Sequence, residues 1–175
     1  MNVVIENEDV IKKAVELKKA NGYIDTVKLA NLFGIEVVPE NWKDDSSAYI
    51  KFDDSNDKFI IFVNTNHSKE RQRFSIAHEI AHFILHKEII KELKQVDRNS
   101  LRSLAPEQEK AADKLAAKIL MPDNLVEEYL TQLHITKQNE INKDTLSKFA
   151  KDFNVSFLAA YIKLKELNYN LSYNI

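Results

Sequence analysis

Two glycines, Gly22 and Gly34, are all that this 175-residue chain contains, and three prolines, Pro39, Pro106 and Pro122, are its only other strong punctuation. Glycine supplies the left-handed backbone that tight turns and phosphate-cradling loops need, so a glycine-rich nucleotide loop is excluded. Such a chain must favour long helices, and its turns must rely on Asp and Asn, which tolerate unusual backbone angles. The length suits one ordinary domain with a substantial core, and 44% hydrophobic residues exclude a disordered polymer. There is no cysteine, which removes disulfides, thiolate metal clusters and cysteine nucleophiles, and fits a reducing compartment. The 25 basic and 27 acidic side chains give a net charge of -2, not the basic excess of a dedicated nucleic-acid binder. Met1 to Glu8 carries acids where a secretory leader needs a basic region before an apolar run. No stretch approaches the roughly 18 apolar residues of a membrane span. The expectation is a soluble cytoplasmic protein with no membrane association.

Helical periodicity marks residues 8–20 (Val10, Ile11, Ala14, Val15, Leu17), with Gly22 as the stop. A short helix from Asp25 to Phe33 should end at Gly34, and Ile35 to Val38 read as an extended connection into Pro39. Ala48–Phe52 and Lys58–Val63 flank the turn-type cluster Asp53 to Asp57 and predict a β-hairpin, the one convincing sheet. Ser68 is a candidate N-cap for a helix running to about His86, apolar on more than one face and therefore central. A polar segment over 89–105 precedes an alanine-rich helix opened by Pro106 and ended near Pro122. Residues 123–175 read as helical, including a pair at 143–153 and 156–167. The fold class predicted is α+β and helix-rich, with a small antiparallel sheet, a main unit over residues 1–125 and a helical C-terminal region over 126–175.

The stretch that carries chemistry is His78-Glu79-Ile80-Ala81-His82. On a helix, residues four apart share a face, so both imidazoles can reach one ion. Glu79 lies one step round, where its carboxylate can take a proton from water activated by a metal. Phe74, Ala77, Ala81 and Leu85 embed the motif in an apolar helix, where unpartnered histidines and a glutamate would be costly. A catalytic zinc needs a third protein ligand. His86 sits roughly 12 Å from His78 along the axis, too far to share the ion, and suits the helix C-terminus better. Glu109 is the stronger candidate. It stands four residues before Asp113 on the alanine-rich helix, whose small side chains allow close approach to the His78 helix. Asp113 would then accept a hydrogen bond from the imidazole of His78 and orient it. The alternative for this pair is an exposed acidic face. His67 and His134 are weaker ligand candidates. An oxyanion-stabilising group is also expected, for which Tyr129, His134, Tyr49 and Tyr161 are candidates, and Phe59 to Val63 could offer a sheet edge to a substrate.

The segments Arg73 to His82, Glu109 to Asp113 and Leu115 to Pro122 together resemble the ImmA/IrrE family of zinc metallopeptidases. Ile60 to Asn64, Ser68 to Arg73 and Leu146 to Ser156 fit the same pattern, so that the likeness covers most of residues 25–167. The resemblance implies a zincin-like core, Zn²⁺ held by His78, His82 and Glu109, and Glu79 as the base. It also implies substrates that are helix-turn-helix repressors of mobile elements or stress regulons. Asp113 and Leu115 depart mildly from the Asn and Phe common in the family. Two other readings stay open. In one, the protein is a zinc-stabilised binding or toxin-type partner of a DNA-binding regulator, with little or no proteolysis. In the other, Leu146 to Val155 forms a helix-turn-helix on DNA, although six lysines against four acids between His134 and Ile175 supply few phosphate contacts.

Overall fold

Residues 7–18, 23–93 and 104–172 are described by the structure, a computed structural model. Helix α1 (Asn7–Glu16) ends earlier than the sequence suggests, and Gly22, its expected stop, lies outside the described residues. Helix α2 (Thr26–Leu32) is capped by Asp25, whose carboxylate accepts from the Lys28 backbone N–H. It ends at Gly34, where φ is +72°, a conformation that disfavours a Cβ.

The predicted hairpin is present as β2 (Ala48–Asp53) and β3 (Lys58–Asn64), paired antiparallel with Ala48 opposite Val63. Its turn includes Asp57 at φ 49°, so an aspartate takes the place of a turn glycine. The sheet is nevertheless mixed rather than purely antiparallel. Ile35–Glu40, expected as a connection, is strand β1 and lies parallel to β3, giving the order β1-β3-β2. Pro39 is tolerated because β1 is an edge strand. This order also overturns the expectation that Phe59 to Val63 could offer an edge, since β3 is the central strand.

Helix α3 (Lys69–Glu92) is capped by Ser68, as expected, and continues beyond the predicted end near His86. His86 itself is non-helical, with φ -134° and ψ 24°, so the predicted end is a kink. Of the segment read as polar, 89–92 is therefore helical, and 94–103 lies outside the described residues. Helix α4 (Pro106–Leu120) starts at its proline. It packs on α3, where buried Ala77, Ala81, Ala112 and Ala116 leave room for close approach. The opposite side of α3 lies on β2 and β3, burying Ile50, Phe59, Ile61 and Val63 against Ile76 and Ile80.

Beyond α4 come α5 (Asp123–Gln132), α6 (Lys143–Phe153) and α7 (Phe157–Glu166), close to their expected places. Two strands of two residues, β4 (Glu140–Ile141) and β5 (Asn170–Leu171), pair in parallel and were not anticipated. Asn154 at φ 52° makes the turn from α6 to α7. One buried cluster includes Val10 of α1, Ile80 of α3, Phe149 of α6 and Leu171 of β5. The Arg73 guanidinium bridges remote parts of the chain: it donates to the carbonyls of Ile24 at 3.0 Å, Phe153 at 3.1 Å, and Asn154. Among the described residues no helix is long and apolar enough to cross a membrane.

Candidate active site

One turn separates His78 from His82 on α3, and their rings meet edge-on with centroids 4.5 Å apart. Glu109 reaches them from the first turns of α4. Its Oε2 lies 3.3 Å from His78 Nε2 and its Oε1 lies 3.4 Å from His82 Nε2. The two Nε2 atoms are 2.8 Å apart, and one donor atom from each residue lies within 4.8 Å of the others. Tetrahedral coordination with bonds of about 2.0–2.1 Å sets neighbouring ligand atoms about 3.3–3.4 Å apart. The two carboxylate–imidazole separations match that figure, and the imidazole–imidazole one is shorter. Two imidazole nitrogens and a carboxylate converging in this way fit a divalent cation.

The tautomer of His78 follows from its neighbour. Asp113 Oδ1 lies 2.9 Å from His78 Nδ1. An ionised carboxylate only accepts, so Nδ1–H donates and the Nε2 lone pair faces the site. His82 has no equivalent support, because its Nδ1 is buried without a hydrogen-bond partner among the described residues. Burial, with His78 and His86 nearby, pushes His82 down to about 3, so it stays neutral and able to donate a lone pair.

Glu79 is only 7% exposed. Burial first, and then the negative charge of Glu109, pushes its carboxyl up to about 8 against a hydrogen bond from the Ile50 backbone. That hydrogen bond follows from the strand register. The Asn64 N–H donates to the Ser47 carbonyl at 2.9 Å, one step beyond the Ala48–Val63 pair. Alternation along the antiparallel ladder then turns the N–H and C=O groups of Ala48 and Ile50 away from β3. The sheet edge that meets the site is therefore β2. A cleft of about 570 Å³ runs along it, lined by Ser46, Ser47 and Ala48 on one side and by Phe74, His78, Glu79 and Glu109 on the other.

Residues 30–165 match the family model described as the IrrE N-terminal-like domain, a peptidase family. The chain belongs to that family. It is 22% identical over 162 residues to metallopeptidase ImmA of Bacillus subtilis (strain 168), covering 92% of each chain. Its fold also matches the structure of a Mycobacterium tuberculosis transcriptional regulator, with a TM-score of 0.57 at 15% identity over 91% of this chain. The chain spans 46% of that regulator's length.

In this IrrE-like chain the other predicted site residues are dispersed. Tyr129 does not line the cleft: its hydroxyl donates to Asp152 Oδ2 at 2.7 Å, and its ring packs on Phe149 and Phe153. His134 is exposed in a left-handed conformation after α5, and Tyr161 lies on α7; neither lines the cleft. Tyr49 borders the cleft through β2, but its ring stacks on Phe62 at 4.8 Å, on the sheet face away from α3. His67 lies 3.1 Å from the Ser46 carbonyl through Nε2. His86 does not serve a helix C-terminus; at the kink its Nε2 lies 3.4 Å from the Gln108 carbonyl.

Two residues with no role expected from the sequence shape the cleft wall. Fully buried Asn64 accepts from the Trp42 N–H and donates to the carbonyls of Trp42, Asp44 and Ser46, which fixes the loop leading into β2. Arg71 donates to Ser47 Oγ at 2.9 Å and to the Asp45 carbonyl at 3.1 Å, clasping the same loop from α3. The only sequence signal for either was its place inside the family-like segments.

Proposed function

We propose that this chain is a zinc-dependent endopeptidase that hydrolyses one peptide bond in a helix-turn-helix transcriptional repressor, in the cytoplasm. The observation that carries the reading is the convergence of His78, His82 and Glu109 beside the buried carboxyl of Glu79. Two nitrogen donors and one oxygen donor in a chain without cysteine suit zinc among the common divalent ions. Bound there, the ion supplies electrophilic polarisation of water and of the scissile carbonyl.

The chain's own residues do the rest. Asp113 holds the His78 ring with its lone pair facing inward. Glu79 takes the proton from the attacking water and passes it to the departing amine. The outward backbone groups of Ala48 on β2 hold the substrate as an added extended strand. The repressor as target rests on the family resemblance, and the small net charge is in keeping with a protein partner rather than DNA.

The test is co-expression with candidate helix-turn-helix repressors from the same genome, comparing wild type with Glu79→Gln. The expected result is a cut repressor with wild type only, while both proteins retain zinc. An intact, stable complex in both cases would select the binding-partner reading and remove the peptidase.

A further inference from the structure

A second cavity of about 570 Å³ opens beside the catalytic cleft and shares Arg71, Phe74 and Asp113 with it. Its floor is apolar and buried: Leu120 and Met121 at the end of α4, and Val155 in the turn between α6 and α7. Its lip carries Leu158 and Ile162, one helical turn apart on α7, which are 54% and 48% exposed. Among the large hydrophobic side chains of the described residues, only Leu32 is as exposed as this pair on the lip. A lone exposed leucine is ordinary, whereas a matched pair over an apolar trough marks a contact surface. The trough is also preformed, because buried Lys163 on α7 is tied to the Asp123 carboxylate at the start of α5.

We propose that this trough is an exosite of the peptidase, seating the apolar face of a helix in the substrate protein that adjoins the scissile segment. Leu158 and Ile162 are the side chains that determine specificity. The inference rests on the endopeptidase reading above. Continuity identifies the occupant: a chain leaving the cleft past Phe74 and Arg71 passes directly over the trough. The character of the walls identifies its conformation. Beyond their end turns α4 and α7 pair their own backbone groups, so they offer no edge for an added strand and read side chains. An apolar stripe at helical spacing is what such a trough accepts. Glu70, Lys114 and Glu166 place both signs of charge around it, which leaves apolar contact as the discriminating term.

The experiment measures binding, which does not require turnover. Fluorescein-labelled amphipathic helical peptides with two leucines four residues apart are titrated by fluorescence anisotropy, against the same peptides with serine at those positions. The proteins are wild type, Leu158→Asp/Ile162→Asp and the milder Leu158→Ser/Ile162→Ser, each checked for unchanged helicity and metal content. Wild type is expected to favour the leucine peptide about tenfold, and both variants to lose that preference. Equal binding by wild type and variants, or no leucine preference in wild type, would overturn the proposal. So would a wild-type dimer that dissociates in the variants with peptide binding unchanged, which would assign the trough to a second copy of this chain. Loss of repressor cleavage with the peptide preference intact would strike the peptidase reading and leave the trough as a binding site for the apolar helix.

Discussion

His78 is held from both ends of its ring, with Nε2 turned toward His82 and Glu109 and Nδ1–H bonded to Asp113. Among the described residues His82 has no such orienting partner, so the ordering of the pair depends on Asp113. Asp113→Ala is expected to weaken metal binding by about 10- to 100-fold, the usual cost of losing a group that orients a ligating histidine. Asp113→Asn keeps a carbonyl acceptor and should lose much less. Competition with a fluorescent chelator separates the two variants; equal losses would mean that the negative charge matters, not the orientation. At this scale the sequence was informative where spacing along one helix decides geometry. His78 and His82 are four apart on one helix, and Glu109 and Asp113 are four apart on another, so each pair shares a face whatever the tertiary fold. Tyr129 and His134 could not be placed in this way, since their distance from the cleft depends on how α5 and its end pack.

Elements whose signal is local were legible, and those stabilised by a distant partner were not. The β2–β3 hairpin announces itself through two alternating runs around an Asp-rich turn, and α3 and α4 through Ser68 and Pro106. Strand β1 carries a proline and no clean alternation, because it pairs only along β3 and leaves its other side as a sheet edge. The kink at His86 left no sequence signal except the end of the apolar run. Gly34 gives a test confined to one element boundary. Its φ of +72° lies in the left-handed region, and an added Cβ would meet nothing within 4 Å. The cost of a side chain there is backbone strain alone. Gly34→Ala should therefore destabilise by about 1 kcal/mol, and Gly34→Asn by clearly less, because asparagine tolerates this region. Urea unfolding with an unchanged slope measures both; a cost well above 2 kcal/mol for alanine would reveal crowding that the structure does not contain.

Across the whole molecule, the scarcity of glycine becomes a question of how a chain with few tight turns closes on itself. Left-handed Asp57, His134, Asn154 and Asn168 serve at reversals where glycine is absent, and side-chain hydrogen bonds to backbone carbonyls join segments far apart in sequence. Arg73 is the longest-reaching of these. It lies on the same helix as His78 and His82, stacks 4.7 Å from the Tyr23 ring, and bonds carbonyls before α2 and at the end of α6. Burial lowers its proton affinity to about 10, so it remains charged at neutral pH and its charge is compensated by three carbonyl dipoles. Lysine cannot reproduce this planar fork, and a substitution leaves carbonyls in partly buried surroundings unpaired. Arg73→Lys should cost about 1–3 kcal/mol, and Arg73→Met more, as each further carbonyl loses its donor. Trp42, the only tryptophan, is buried in the loop between β1 and β2 and reports there by fluorescence, while far-ultraviolet circular dichroism reports the helices. Because one core cluster joins the strands flanking this loop to the helices, both signals should shift together to lower urea in each variant. A shift of the helical signal alone would mean that Arg73 fastens only the C-terminal helix pair, and no shift in either would remove it as a structural pin.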